Sequence, residues 1–185
     1  MIDAEALAAR SLEILERLVG FDTTSRASNL PLIDYVETQL AALGVAGRRV
    51  PNLDGTKANL YARIGPAAPG GVVLSGHTDV VPVDGQAWSS DPFKVEQRGT
   101  RLYGRGTCDM KGFLALALAA APDILAVGPK KPVHLAFSYD EEIGCLGAPD
   151  MIRVIASELP KPALVVVGEP TNMEAVRGHK GISTF

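Results

Sequence analysis

Apolar residues recur at helical spacing over positions 4–20, where Leu7, Leu12, Ile14, Leu15, Leu18 and Val19 form a stripe and Glu5, Arg10, Glu13, Glu16 and Arg17 lie mostly between them. The pattern predicts an amphipathic helix lying on a core. Pro31 at a first helical turn opens a second helix, which Gly44 closes, with Ile33, Val36, Leu40 and Leu43 as its buried stripe. Arg49-Val50 and residues 59–64 read as strands on either side of an Asp54-Gly55 turn. Residues 71–79 then form a short apolar run bounded by glycine, which predicts a buried strand ending in His77-Thr78-Asp79.

Positions 80–93 are irregular and hold Pro82, Trp88 and Pro92; a loop of this length within a domain is usually functional or mobile. Residues 93–95 and Leu102-Tyr103 flank Gly99-Thr100 as a hairpin. An apolar helix is predicted from Phe113 to about Ala121, broken or kinked at Pro122. Residues 133–139 and 163–167 are two further apolar strands, with a helix between them that reaches about Ala156. His134 falls inside its strand and reads as a packed residue rather than a ligand. From His179 the chain enters what reads as a new strand.

Composition narrows the function classes. A chain of 185 residues suits one domain, and a net charge of −3 lacks the basic footprint of a nucleic-acid binder. The longest apolar stretch, 113–121, is far short of the ~20 residues that span a bilayer, and the N-terminus lacks a signal peptide's basic start and apolar core. A soluble, cytoplasmic protein without nucleic-acid or membrane partners is expected. The two cysteines, Cys108 and Cys145, make no disulfide framework, and Cys108 is expected to be buried as a reduced thiol.

The strands and helices together imply an α/β fold with a largely parallel sheet, whose ligands gather beyond the carboxyl ends of the strands. His77, Glu141, Glu142 and Glu169 each fall just past such an end, and Asp109 sits at the start of a helix that would pack on the same sheet. Taken singly, Asp109 could cap its helix and Glu141 and Glu142 could favour a helix first turn. Gathered at one edge, the carboxylates would repel one another unless cations neutralised them. Nitrogen and oxygen donors without a thiolate cluster favour Zn²⁺ or a similar divalent ion. With Asp109, Glu142 and Glu169 as ligands of a metal pair, Glu141 stays free to take a proton, and Asp79 can accept the spare N–H of His77. Arg105 and Lys111 read as solvated or paired.

Four motifs carry a family resemblance: 75–82 (S-G-H-T-D-V-V-P), 102–112 (L-Y-G-R-G-T-C-D-M-K-G), 140–142 (D-E-E) and 168–171 (G-E-P-T). In this order, and over nearly the whole chain, they resemble the co-catalytic dizinc aminoacylase and carboxypeptidase family. The resemblance implies a three-layer αβα, zinc-peptidase-like catalytic domain, here incomplete, that binds two Zn²⁺, with Co²⁺ as a substitute. It further implies His77 and Glu169 on one zinc, Asp109 as bridge, Glu142 on the second zinc, Glu141 as general base, Asp79 orienting His77, and a cis peptide at Asp109-Met110. Residues 1–175 would be the N-terminal part of that domain and 176–185 the start of a truncated lid and dimerisation domain, so that the full-length form would be a homodimer. The second zinc's expected imidazole is not available among His77, His134 and His179. The implied substrate is a small N-acyl amino acid. Met110-Lys111-Gly112-Phe113 and residues 176–181 are most similar to members that remove acetyl from N-acetyl-L-ornithine; a desuccinylase, a general aminoacylase and an inactive metal-binding fragment are the alternatives.

Overall fold

The computed structural model describes residues 3–178. Asp3 caps the first helix, α1 (Ala4–Val19), by accepting from the backbone N–H groups of Glu5 and Ala6, and the helix buries Leu15, Leu18 and Val19. Helix α2 (Leu30–Ala42) carries Pro31 in its first turn and buries Leu32, Ile33, Val36 and Leu40. Strands β1 (Gly47–Pro51) and β2 (Ala58–Ile64) pair antiparallel about the Asp54-Gly55 turn. Strand β3 (Val72–His77) follows, then a small hairpin of β4 (Glu96–Arg98) and β5 (Arg101–Tyr103), which sits slightly C-terminal to its expected first arm. The chain continues through α3 (Lys111–Val127), β6 (Val133–Ser138), α4 (Ala148–Glu158) and β7 (Leu164–Val167).

Helix α3 does not stop at Pro122 but runs on to Val127 and ends on left-handed Gly128. Its long contact with α1 explains why. Arg10 of α1 donates to the Ala119 carbonyl and pairs with Asp123, pinning the turn on both sides of the proline, while Leu118 and Ala121 are buried beneath. Tertiary packing thus outweighs the hydrogen bond that proline cannot make.

The main sheet has the order β1-β2-β6-β3-β7. Strand β3 pairs parallel with both β6 and β7, whereas β2 runs against both β6 and β1, so only β2 is reversed. Helices α1, α2 and α3 share one core with the inner face of the sheet, and α4 packs through Met151 and Ile155 on Val73 and Ala136 of the other face, giving three layers. Strand β7 lies at the edge with all four residues exposed.

This order positions the site. The connection from β3 through α3 leads to the neighbour on one side, and the connection from β6 through α4 returns to the neighbour on the other. The sequence order therefore reverses at β3, and a crevice opens at the carboxyl ends of β3, β6 and β7. His77 is level with Ser138 in the parallel register, and Ser75 with Val167, so the segments leaving the three strands emerge together. Residues 179–185, including the strand expected there and most of the expected lid segment, lie outside the described residues.

Candidate metal centre

His77 ends β3 and is 1% exposed. Its Nδ1 lies 2.9 Å from the Asp79 carbonyl oxygen and 3.5 Å from Asp79 Oδ1, so the backbone is its nearer acceptor and the carboxylate the farther one. Nε2 faces Asp109 Oδ1 at 2.9 Å, Glu169 Oε1 at 3.5 Å and Glu141 Oε2 at 3.9 Å. With Nδ1 donating, a neutral imidazole directs its remaining lone pair at these oxygens, and only a shared cation makes that favourable. In the metal-free protein the cation is a proton. Burial alone would lower the imidazole, but the hydrogen bond and charge of Asp79 and the charge of Glu169 raise it to about 9. Burial lifts Glu169 to about 7, helped by Asp109 and Glu141 against the pull of His77. Burial and Asp109 also raise Glu142.

Two overlapping sets place ligand atoms within 4.8 Å of one another: His77, Glu141 and Glu169, and His77, Asp109 and Glu142. These are the donors a divalent ion takes in place of the proton, so the residues fit a metal. The imidazole end is closed, whereas the side chains of Asp109, Glu141 and Glu169 are 48%, 38% and 37% exposed, leaving the carboxylate side open to a small molecule.

Each donor has its own support. The Asp109-Met110 peptide is cis, and Met110, wholly buried, accepts the His77 amide on its sulfur at 3.3 Å. Gly76 makes room for this, because a Cβ there would come within 2.7 Å of the Met110 methyl and 2.8 Å of Leu114. Asp109 is not a helix cap, since Met110 occupies that position, and Glu141 and Glu142 are not in a helix first turn, because α4 begins only at Ala148. Their amides instead donate to the Asp79 carboxylate at 3.0 and 3.2 Å. Ser25 Oγ donates to the same carboxylate at 2.7 Å. Burial would raise Asp79, but His77, Ser25 and the Glu141 amide hold it below the ordinary carboxylate range. Asp79 therefore orders the imidazole and the two glutamates together.

Glu169 follows Gly168, which leaves β7 with its amide on the Ser75 carbonyl. A Cβ on Gly168 would lie 2.0 Å from the Phe113 ring. Gly168→Ala is accordingly expected to cost about 1–3 kcal/mol of stability and to displace Glu169. Thermal unfolding combined with metal content checks this; unchanged values for both would mean that the ring simply moves aside.

Ser25 and Lys57 support the site and had no motif to announce them, whereas Met110 and Asp140 stand in the motifs at 102–112 and 140–142 without a supporting contact having been read from them. For Ser25 the available signal was the Thr23-Thr24-Ser25 run, three small hydroxyl residues that are all buried. Two expectations are corrected. Lys111 is not solvated: it is wholly buried, its Nζ donates to the Phe21 carbonyl at 2.8 Å, and burial lowers it to about 7 although Asp22 and Asp79 pull upward. Cys108 is exposed rather than buried, because it lies on the turn before Asp109 and not within α3. Arg105 is half-buried and stacks over Trp88, 5.2 Å from the ring centroid.

Residues 73–180 match the model of peptidase family M20/M25/M40. The chain belongs to this family. The acetylornithine deacetylase of Myxococcus xanthus is 40% identical over 172 residues, covering 90% of this chain and 43% of that protein. The Salmonella typhimurium acetylornithine deacetylase is 38% identical over 156 residues, covering 83% of this chain and 39% of that protein. The chain thus spans less than half the length of these M20 relatives. Among solved structures, the M20 family metallo-carboxypeptidase Sso-CP2 of Sulfolobus solfataricus superposes with a TM-score of 0.74 at 26% identity, over 90% of this chain and 37% of that one. Human carnosine dipeptidase 1 shares the fold at a TM-score of 0.73 and 20% identity, over 88% of this chain and 39% of that one. Among the described residues of this M20 chain, no helix is long and apolar enough to cross a membrane.

Proposed function

We propose that this chain carries the metal-binding and proton-transfer residues of a metal-dependent amidohydrolase that converts N-acetyl-L-ornithine to L-ornithine and acetate. The observation that carries this reading is the Nε2 edge of His77, directed at carboxylates from three segments far apart in sequence. The substrate rests on relatives of 36–40% identity named acetylornithine deacetylase. In this reading His77 and Glu169 would hold one ion, Glu142 would hold the second, and Asp109 would serve both. The ions are Zn²⁺, replaceable by Co²⁺, and the chemistry they supply when bound is an acidified water and a polarised amide carbonyl.

The chain's own residues do the rest. Asp79 holds His77 in the tautomer that leaves Nε2 free. Glu141, fixed through its amide and open to solvent, takes the proton from water and returns it to the departing nitrogen of the amide, as a general base that then acts as an acid. Residues 1–175 belong to the metal-binding domain, and 176–185 lead toward a lid and dimerisation domain. The enzyme would be a cytoplasmic homodimer serving arginine biosynthesis, which sizing of the full-length protein and arginine dependence of a deletion strain test. Assay of N-acetyl-L-ornithine against N-succinyl-diaminopimelate decides the substrate: faster turnover of the succinyl compound would favour a desuccinylase.

Metal binding should release protons. His77, held at about 9, is charged at neutral pH and must lose its proton to bind an ion. Apparent Zn²⁺ affinity should therefore rise by up to about tenfold per pH unit as pH approaches 9, then level off. Below about pH 7 the protonation of Glu169 steepens the dependence. Calorimetric titration in buffers of different ionisation enthalpy measures the protons released; a count of zero at pH 7.5 would remove His77 from the ligand set.

A further inference from the structure

We propose that Lys57 and Asp140 are a positioning pair that aims the Glu141-Glu142 backbone at the metal centre. The inference rests on the hydrolase reading above and adds to it two residues that lie outside the candidate ligand sets.

Lys57 immediately precedes β2, and Asp140 lies two residues past β6. Lys57 Nζ sits 2.5 Å from Asp140 Oδ1, with the two side chains 12% and 10% exposed. The same ammonium donates to the Ser25 carbonyl oxygen. Ser25 Oγ donates to Asp79, and Asp79 accepts the amides of Glu141 and Glu142. Contacts therefore run in a closed ring from Lys57 through Ser25, Asp79 and Glu141 to Asp140 and back to Lys57. His77 is attached to the ring at Asp79.

Asp140 is where the chain turns. Its φ of 56° is a left-handed conformation that residues with a Cβ seldom adopt, although Asp and Asn tolerate it better than most. That turn brings the next two amides round to Asp79. The segment after it folds back on itself, with the amides of Gly144 and Cys145 on the Glu141 carbonyl and that of Leu146 on the Asp140 carbonyl. Asn59, two residues beyond Lys57, holds the outer ends of the segment: its Oδ1 accepts the Tyr139 amide at 3.3 Å and its Nδ2 donates to the Gly147 carbonyl at 3.0 Å. The start of β2 thus grips the glutamate loop at both ends, and Lys57–Asp140 is its charged, nearly dry contact. Groups that hold ligands in place in this way commonly change metal affinity by about 10–100-fold when removed.

The test uses Co²⁺ and the full-length protein as wild type, Lys57→Met, Lys57→Arg and the double variant Lys57→Met/Asp140→Asn. Lys57→Met alone strands a buried carboxylate and could unfold the chain. The double variant leaves no buried charge unpaired, and Asn still tolerates the left-handed turn. Co²⁺ binding is followed by calorimetry and by the visible absorption bands of the bound ion, and folding by thermal denaturation of the metal-free protein. The expected result is a double variant that unfolds cooperatively, binds at least one of its two ions about 10–100-fold more weakly and shows altered bands, with Lys57→Arg recovering much of the loss. A double variant with wild-type affinity and bands would overturn the proposal and leave the pair a stabilising contact only. A wild-type protein that binds no Co²⁺ would remove the hydrolase reading and this inference with it.

Discussion

Glu141→Ala is expected to lower kcat by about 10²–10⁴ while leaving both ions bound. The magnitude is that of a general base removed from an otherwise intact site. The metal content makes the result decisive, because distance alone does not separate the base from the ligands: Glu141 lies within ligand range of His77 and Glu169. In the proposed reading Asp109, Glu142 and Glu169 with His77 would supply the donors for two ions, which would leave Glu141 free to act as the base. Steady-state kinetics and metal analysis of the same preparation check the point. A variant that loses an ion along with its activity would make Glu141 a ligand, and unchanged turnover would leave it without a role.

Asp79→Ala should have the largest effect on the fold and the centre together. The substitution leaves the Ser25 hydroxyl and the Glu141 and Glu142 amides without their acceptor and removes the charge that holds His77 up. A stability loss of about 3–5 kcal/mol is expected, the range for breaking one side of a buried charged contact. Metal affinity should also fall by about 10–100-fold. The sign of the pH effect follows from the direction of the shift. His77 has a folded pKa of about 9 against 6.5 unfolded, so its contribution to the stability of the metal-free protein is complete below pH 6.5 and is lost as pH rises through 9. In Asp79→Ala the opposing effect of burial is unmasked, His77 should titrate well below 9, and this part of the pH dependence should shrink. Imidazole titration by NMR and thermal unfolding across pH 6–10 measure both. A variant whose His77 still titrates near 9 would show that the remaining carboxylates hold the proton without Asp79.

Much of the scaffold was legible because burial patterns in short elements are local. The stripe from Leu7 to Val19, the Pro31 helix start and the Val-rich runs at 72–74 and 164–167 each mark their element within a dozen residues, although the run at 164–167 lies exposed at the sheet edge. Pro122 misled because the contacts that hold the helix on either side of it, to the Ala119 carbonyl and to Asp123, come from Arg10, over a hundred positions earlier in the chain. Cys108 misled for a similar reason: whether a residue beside a helix start is covered depends on what the fold brings over it.

The centre divides along the same line. His77, Asp109, Glu141, Glu142 and Glu169 could be named from the chain because each stands in a distinctive motif at the end of a strand or the start of a helix. Their convergence on Nε2, the choice of the Asp79 carbonyl as the nearer acceptor of Nδ1, the buried Lys111 and the ring through Ser25, Lys57 and Asp140 depended on the folded chain. Motif and periodicity are properties of neighbours along the polymer, whereas proton affinity, burial and ligand geometry arise between segments 30 to 90 residues apart, which meet only when the strand order reverses around β3.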